Sequence, residues 1–107
     1  MIYIASPYAH PDPAIMQGRF HKVCEFTADL LNSGLVVYSP IAHNHYLACN
    51  FDLPRTWDFW QNLDLHMLDL ATELHVLCLP GWHSSQGVQA EIAHAIQTNK
   101  LVIYVEA

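Results

Sequence analysis

Charge is what this sequence has least of. Only 13% of its 107 residues are Asp, Glu, Lys or Arg, against about 25% in an ordinary soluble domain. So few charges cover the surface of a monomer poorly, and a homo-oligomer, a dimer or tetramer, is expected. The formal net charge is −6, with only 4 Lys and Arg. That balance argues against a nucleic-acid polymer or an anionic membrane surface as partner. A small anionic ligand stays open, because one helix N-terminus binds an anion whatever the net charge.

Cysteine is sparse too. Cys24, Cys49 and Cys78 are odd in number and match no zinc or disulfide spacing. Cys24 and Cys78 fall inside apolar-patterned segments and read as buried thiols, which suits a reducing cytoplasm. No apolar run is long enough for a membrane span, and Met1 leads into a strand-like run with no basic leader. Neither a signal peptide nor a membrane segment is expected, and the location expected is cytoplasmic. Repeats and low-complexity tracts are missing, so residues 1–107 read as one domain.

What is present alternates. "MIYIA" is a short β-rich run broken at Ser6-Pro7. Asp12-Pro13 opens a helix in which Met16, Phe20, Val23, Thr27, Leu30 and Leu31 recur at helical spacing, and "NSG" closes it. "LVVYSP" is a second strand. Residues 41–56 look irregular, a helix follows from about Trp57 to Ala71, and "LHVLCLP" is a strand buried on both faces. A last helix to about Asn99 and the strand "LVIYVE" complete the chain. Strands separated by helices predict an α/β fold of three layers, flavodoxin-like and doubly wound, with about four parallel strands and helices on both faces. Ligands of such folds bind beyond the C-terminal ends of the strands. Those ends are "ASPY", "YSPIAH" and "CLPGWHSS".

Two carboxylates stand out. In "GWHSSQGVQAEIAHA" Val88, Ile92, Ala95 and Ile96 form an apolar stripe, and Glu91 sits at its rim over Gly87. Gly87 leaves space beneath that carboxylate. On the preceding helix Asp64 falls within an apolar arc of Trp60, Leu63, Met67, Leu70 and Ala71, whereas Asp58 and Asp69 lie on the polar face. A buried aspartate needs a partner or takes up a proton, so Asp64 is either bonded to a neighbouring loop or an acid of raised pKa. Ser84 and Ser85 are N-cap candidates whose helix N-terminus also favours an anion.

"IYIASPY", a mid-chain helix with an inward Asp, and "SxGVxxEIxxA" before the last strand together resemble the nucleoside 2-deoxyribosyltransferase superfamily. The likeness is nearest to a small bacterial and phage branch carrying "SPIAH". The resemblance implies that Glu91 attacks the anomeric carbon of a ribose or deoxyribose, that Tyr3 orients it, and that Asp64 protonates or holds the leaving base. Such chemistry has the logic of a retaining glycosidase, in which a covalent sugar–enzyme intermediate passes to a second base or to water. The transferases resembled carry an acidic residue six positions before the nucleophile, facing a 5′-hydroxyl. The nucleotide N-glycosidases carry serine there, facing a 5′-phosphate, and this chain has Ser85. A 5′-monophosphate is therefore favoured, with Ser6 as a second hydroxyl, although no Arg or Lys precedes Arg19.

The substrate-binding set expected is Ser6, Pro7, Tyr8, His43, Gly81, Ser84, Ser85 and Gly87. No cofactor is expected. His43, His45 and His83 invite comparison with a zinc site, but two histidines without a fixed third ligand favour pocket lining instead. Trp57, Trp60 and Trp82 are candidates for stacking on a base, or for core and interface. Two other classes stay open: a nucleotide-binding sensor that has lost turnover, and a dimerisation domain using Ala90 and Ala93 on the last helix.

Overall fold

In a computed structural model describing residues 1–107, the chain runs β1 (Ile2–Ala5), α1 (Pro13–Asn32), β2 (Val37–Tyr38), α2 (Pro40–Asn50), α3 (Trp57–Leu70), β3 (Glu73–Cys78), α4 (Gln86–Gln97) and β4 (Leu101–Glu106). The local signals act as expected at α1. Asp12 Oδ1 accepts the Ala14 amide at 2.9 Å, and Pro13 starts the helix. At its end Gly34 takes φ +86°, and the amides of Gly34 and Leu35 donate back to Leu31 and Leu30.

The four strands form one parallel sheet in the order β2-β1-β3-β4. One face buries Tyr3, Ala5, Leu74 and Val76 under Leu68 of α3 and Val88, Ile92 and Ala95 of α4. The other buries Ile4 and Leu77 under Val23 of α1. Helices on both faces of a parallel sheet make this a three-layer, flavodoxin-like α/β fold. No helix is long and apolar enough to cross a membrane.

Three expectations need correction. Residues 40–50, read mostly as irregular, are helix α2: Ser39 Oγ accepts the Ala42 amide at 3.1 Å and Pro40 occupies the first turn. Its buried face is Pro40, Asn44 and Ala48. A polar residue in the middle of that face breaks the apolar period by which a helix is recognised. Strand β2 is only Val37–Tyr38, with Leu35 and Val36 exposed. Cys24 and Cys78 are half-buried rather than enclosed.

The apolar stripes are also rotated from the expected ones. Ile96 is 61% exposed, and the buried positions of α4 are Val88, Glu91, Ile92 and Ala95. In α3 Leu63 and Leu70 are exposed, while Asp64 and Leu68 are buried. Each helix thus turns a carboxylate into the protein. Strand β4 lies at the sheet edge, leaving Leu101, Ile103 and Tyr104 exposed.

Candidate active site

Strands β1 and β3 are neighbours, but the chain leaves them for opposite sides of the sheet. The loops beyond their C-terminal ends diverge and leave a crevice there. A cavity of about 360 Å³ occupies it. Ser6 and Tyr8 enter from the β1 end, and Ser84, Ser85, Gly87 and Glu91 from the β3–α4 side. Asn44 and His45 come from α2, Arg55 from the α2–α3 loop, and Trp57, Trp60 and Asp64 from α3.

Glu91 is 4% exposed, and the buried Tyr3 hydroxyl donates to its Oε2. Burial pushes the Glu91 carboxyl up to about 8. The Tyr3 hydrogen bond acts in the opposite direction, and the negative charge of Asp64 adds to the rise. Tyr3 itself is held well above its ordinary value by burial first and then by Glu91. Its hydroxyl stays protonated, a fixed donor aimed at the carboxylate.

Asp64 is 5% exposed, and burial raises its carboxyl to about 6. Against this, Asn44 Nδ2 donates to Asp64 Oδ1 at 3.1 Å, and the nearby His43 favours the ionised form. Two carboxyls on one cavity, titrating near 6 and 8, share a single proton around neutrality. That is the condition for one to serve as acid while the other is a nucleophile.

The N-terminus of α4 opens on the same space. Ser85 Oγ caps the helix by accepting the Val88 amide at 3.3 Å. Ser84 sits in a short 3-10 turn, its hydroxyl donating to the Gly81 carbonyl at 3.2 Å. First-turn amides have no acceptor within the helix, and they carry the positive end of its dipole. On the same cavity, Ser6 Oγ is buried with no hydrogen-bond partner. An unpaired buried hydroxyl is costly, and a ligand atom would satisfy it.

Other expected residues lie elsewhere. Pro7 is fully buried and does not line the cavity. His43 is exposed and bonds to Asn44 instead. Gly81, at φ +93°, makes room for Arg19, whose guanidinium a Cβ at that position would strike. Arg19 donates to the carbonyls of Ala9 at 3.0 Å and Pro80 at 3.1 Å, tying the β1–α1 loop to the β3–α4 loop. Gly81 thereby serves the junction of the two loops and does not line the cavity. Gly87 does line it, yet part of the space above it is taken by Trp57, whose ring would stand 3.2 Å from an added Cβ. Trp57 and Trp60 reach the cavity, whereas Trp82 packs on Tyr104 and His83.

The histidines of α2 part company. His45 Nδ1 pairs with the Tyr8 hydroxyl at 2.6 Å and its ring stacks on Phe20, while His43 turns to Asn44. Nowhere do three His, Cys, Asp or Glu side chains gather as a metal site.

Two cavity residues escape the sequence patterns. Asn44 is buried against Asp64, and only recognition of α2 would have placed it there. Arg55 lines the cavity beside Tyr8, its Nη2 donating to Cys49 Sγ at 3.4 Å. The signal for Arg55 was rarity, since it is one of 4 cationic residues and sits in a loop at the strand ends.

The arrangement suits bond cleavage at a polar carbon: a held carboxylate, a second carboxyl beside it, aromatic walls, and hydroxyls with helix amides at one end. No curated protein matches the chain. Over residues 1–107 it matches, and so belongs to, the family described as Domain of unknown function (DUF1937).

Proposed function

We propose that this protein cleaves the N-glycosidic bond of a nucleoside 5′-monophosphate or nucleoside, passing the sugar to water or to a second base. The observation that carries the reading is the Tyr3–Glu91 hydrogen bond inside a cavity that Asp64 also lines. The Glu91 carboxylate attacks the anomeric carbon as the bond to the base breaks, giving a glycosyl ester. Asp64 gives its proton to the departing base. Water or an acceptor base, deprotonated by Asp64, then displaces the sugar from Glu91. Burial strengthens the attraction between Glu91 and the cationic character that develops on the sugar.

Trp57 and Trp60 offer faces for a base, and the cavity volume suits a ligand of nucleotide size. Ser85, the unpaired Ser6 hydroxyl and Arg55 favour the monophosphate over the nucleoside. The expectation of a homo-oligomer is favoured by the open β4 edge, where Leu101, Ile103 and Tyr104 are exposed. Sedimentation velocity tests that expectation, and a monomer at micromolar concentration would overturn it.

The deciding assay supplies deoxynucleosides, ribonucleosides and their 5′-monophosphates, with and without an acceptor base, and follows free base by chromatography. Release from monophosphates, lost in Glu91→Ala, supports hydrolysis, and exchange between bases supports transfer. Tight binding without turnover supports a sensor and overturns the enzymatic reading.

A further inference from the structure

The carboxyl of Asp64 has one protein partner, the side-chain amide of Asn44, and that amide has a second partner behind it. His43 Nδ1 lies 2.7 Å from Asn44 Oδ1, and Asn44 Nδ2 lies 3.1 Å from Asp64 Oδ1. An amide oxygen only accepts, so the bond from His43 requires a hydrogen on Nδ1. With the oxygen engaged by His43, the NH2 group must face Asp64. An NH2 group only donates, so Asp64 Oδ1 accepts, and a proton on that oxygen would weaken the bond. A proton on Asp64 is therefore favoured on Oδ2, the oxygen that no protein donor engages on a side chain lining the cavity.

We infer that Asn44, oriented by His43, is a positioning residue that selects Oδ2 of Asp64 as the proton-carrying oxygen. The inference rests on the glycosidic reading for its catalytic meaning, but its structural content stands apart from turnover. Without the His43 donor, the Asn44 amide is free to turn over and present its oxygen to Asp64. Oδ1 then becomes a second site for the proton, hidden against α2 and of no use to a leaving group. A neutral His43 with its hydrogen on Nδ1 holds the amide, and a doubly protonated His43 holds it more firmly.

The groups that act on Asp64 are few. Asn44 and His43 reach it from α2, Tyr38 from β2, Tyr3 from β1 and Glu91 from α4. Both tyrosines are held above their ordinary range, Tyr38 at about 12, so they stay neutral across the working range. From the cavity side Glu91, His45 and Arg55 share the space with Asp64, and His43 stands behind Asn44.

The test reads Asp64 directly, by carbon NMR titration of its carboxyl in the free protein, the signal identified by its loss in Asp64→Asn. His43 is exposed, so its replacement removes no buried core side chain. His43→Phe keeps a ring and removes the donor, whereas His43→Asn places an amide NH2 near the Nδ1 position. The Asp64 midpoint rises by about half a pH unit or more in His43→Phe. It stays within roughly 0.2 of the protein's own value in His43→Asn, because half a unit corresponds to part of one hydrogen bond. Equal shifts in both variants assign the effect to the charge of His43 and overturn the inference, as does no shift in either. Asn44→Ala shifts the midpoint by about one unit in the same direction.

A second arm uses turnover. His43→Phe slows release of poor leaving bases about tenfold at unchanged KM and leaves activated bases nearly unaffected, with His43→Asn restoring the rate. If the protein itself releases no base but the midpoints move as stated, the glycosidic reading falls and the positioning stands. If base is released and the midpoints do not move, the positioning falls alone.

Discussion

The Tyr3 hydroxyl donates to Oε2 of Glu91, joining the first strand to the last helix across 88 positions of sequence. Both groups are buried, so the bond acts in a medium of low dielectric where one donor shifts a carboxylate appreciably. Tyr3 thereby works against part of the burial effect that favours the protonated form of Glu91.

The first prediction concerns pH. Below about 6 both Glu91 and Asp64 hold protons, and above about 8 both are ionised, so the proposed reaction lacks its nucleophile at one end and its acid at the other. The kcat/KM for base release should therefore be bell-shaped, highest near neutrality. The productive form places the shared proton on Asp64, whereas burial favours it on Glu91, so only a minor part of the population is productive. Tyr3→Phe removes the bond that lowers Glu91. Its alkaline limb should move upward by about one unit while the maximum falls about tenfold. An alkaline limb that stays in place would count against Tyr3 as the group that tunes Glu91.

Stability carries the same signature with its sign fixed. The Glu91 carboxyl is raised in the fold from 4.5 to about 8. Its neutral form is retained at no cost below 4.5, and stability is lost as pH rises from there through about 8, because the unfolded chain ionises first. Glu91→Gln escapes that loss. Its melting temperature should match the parent near pH 4 and exceed it by several degrees, roughly 5 °C, at pH 8.5. A constant difference across this range, measured by differential scanning fluorimetry, would falsify the buried-acid account.

Ser85 is a helix cap and a proposed phosphate contact, and the two roles separate on substitution. Aspartate caps as well as serine does, so Ser85→Asp should leave the melting temperature within about 2 °C. Its charge repels a phosphate. Base release from monophosphates should drop about a hundredfold, with less than about a threefold change for nucleosides. Parallel losses on both substrates would remove Ser85 from the phosphate end.

Gly81 and Arg19 form a structural pair. Gly81→Ala places a Cβ against the guanidinium at φ +93° and should cost about 1–3 kcal/mol. Part of that cost comes from the backbone and part from the collision. In an Arg19→Ala background the same change should cost at least about 0.5 kcal/mol less, the coupling expected of residues in contact. Urea denaturation of the four proteins measures it, and strict additivity would mean that the two positions act independently.

Local signals in the sequence located most of the frame. Asp12-Pro13 and the glycine after Ser33 bound α1, and the apolar run around Leu74–Leu77 marked an inner strand. Ser39-Pro40 carries the same kind of start signal as Asp12-Pro13. It was obscured because the face it leads to contains Asn44, a residue that does not count toward an apolar period. Where a helix buries a polar group on purpose, periodicity underestimates the helix.

The sequence by itself determined the alternation of strand and helix, the parallel three-layer class, and the oddness of Asp64 on an apolar arc. These follow from nearest-neighbour chemistry and from spacings of 2 and 3.6, which are written along the chain. Only the tertiary structure decided that Glu91 lies within its helix's buried stripe rather than at its rim. It also decided that Tyr3 is its partner, that Asn44 faces Asp64, and that Gly81 serves Arg19 instead of the cavity. Those pairings join residues far apart in sequence, and they depend on how each helix rolls against the sheet. A roll of a few tens of degrees exchanges Ile96 for Glu91 at the buried face, and packing of whole surfaces sets that angle.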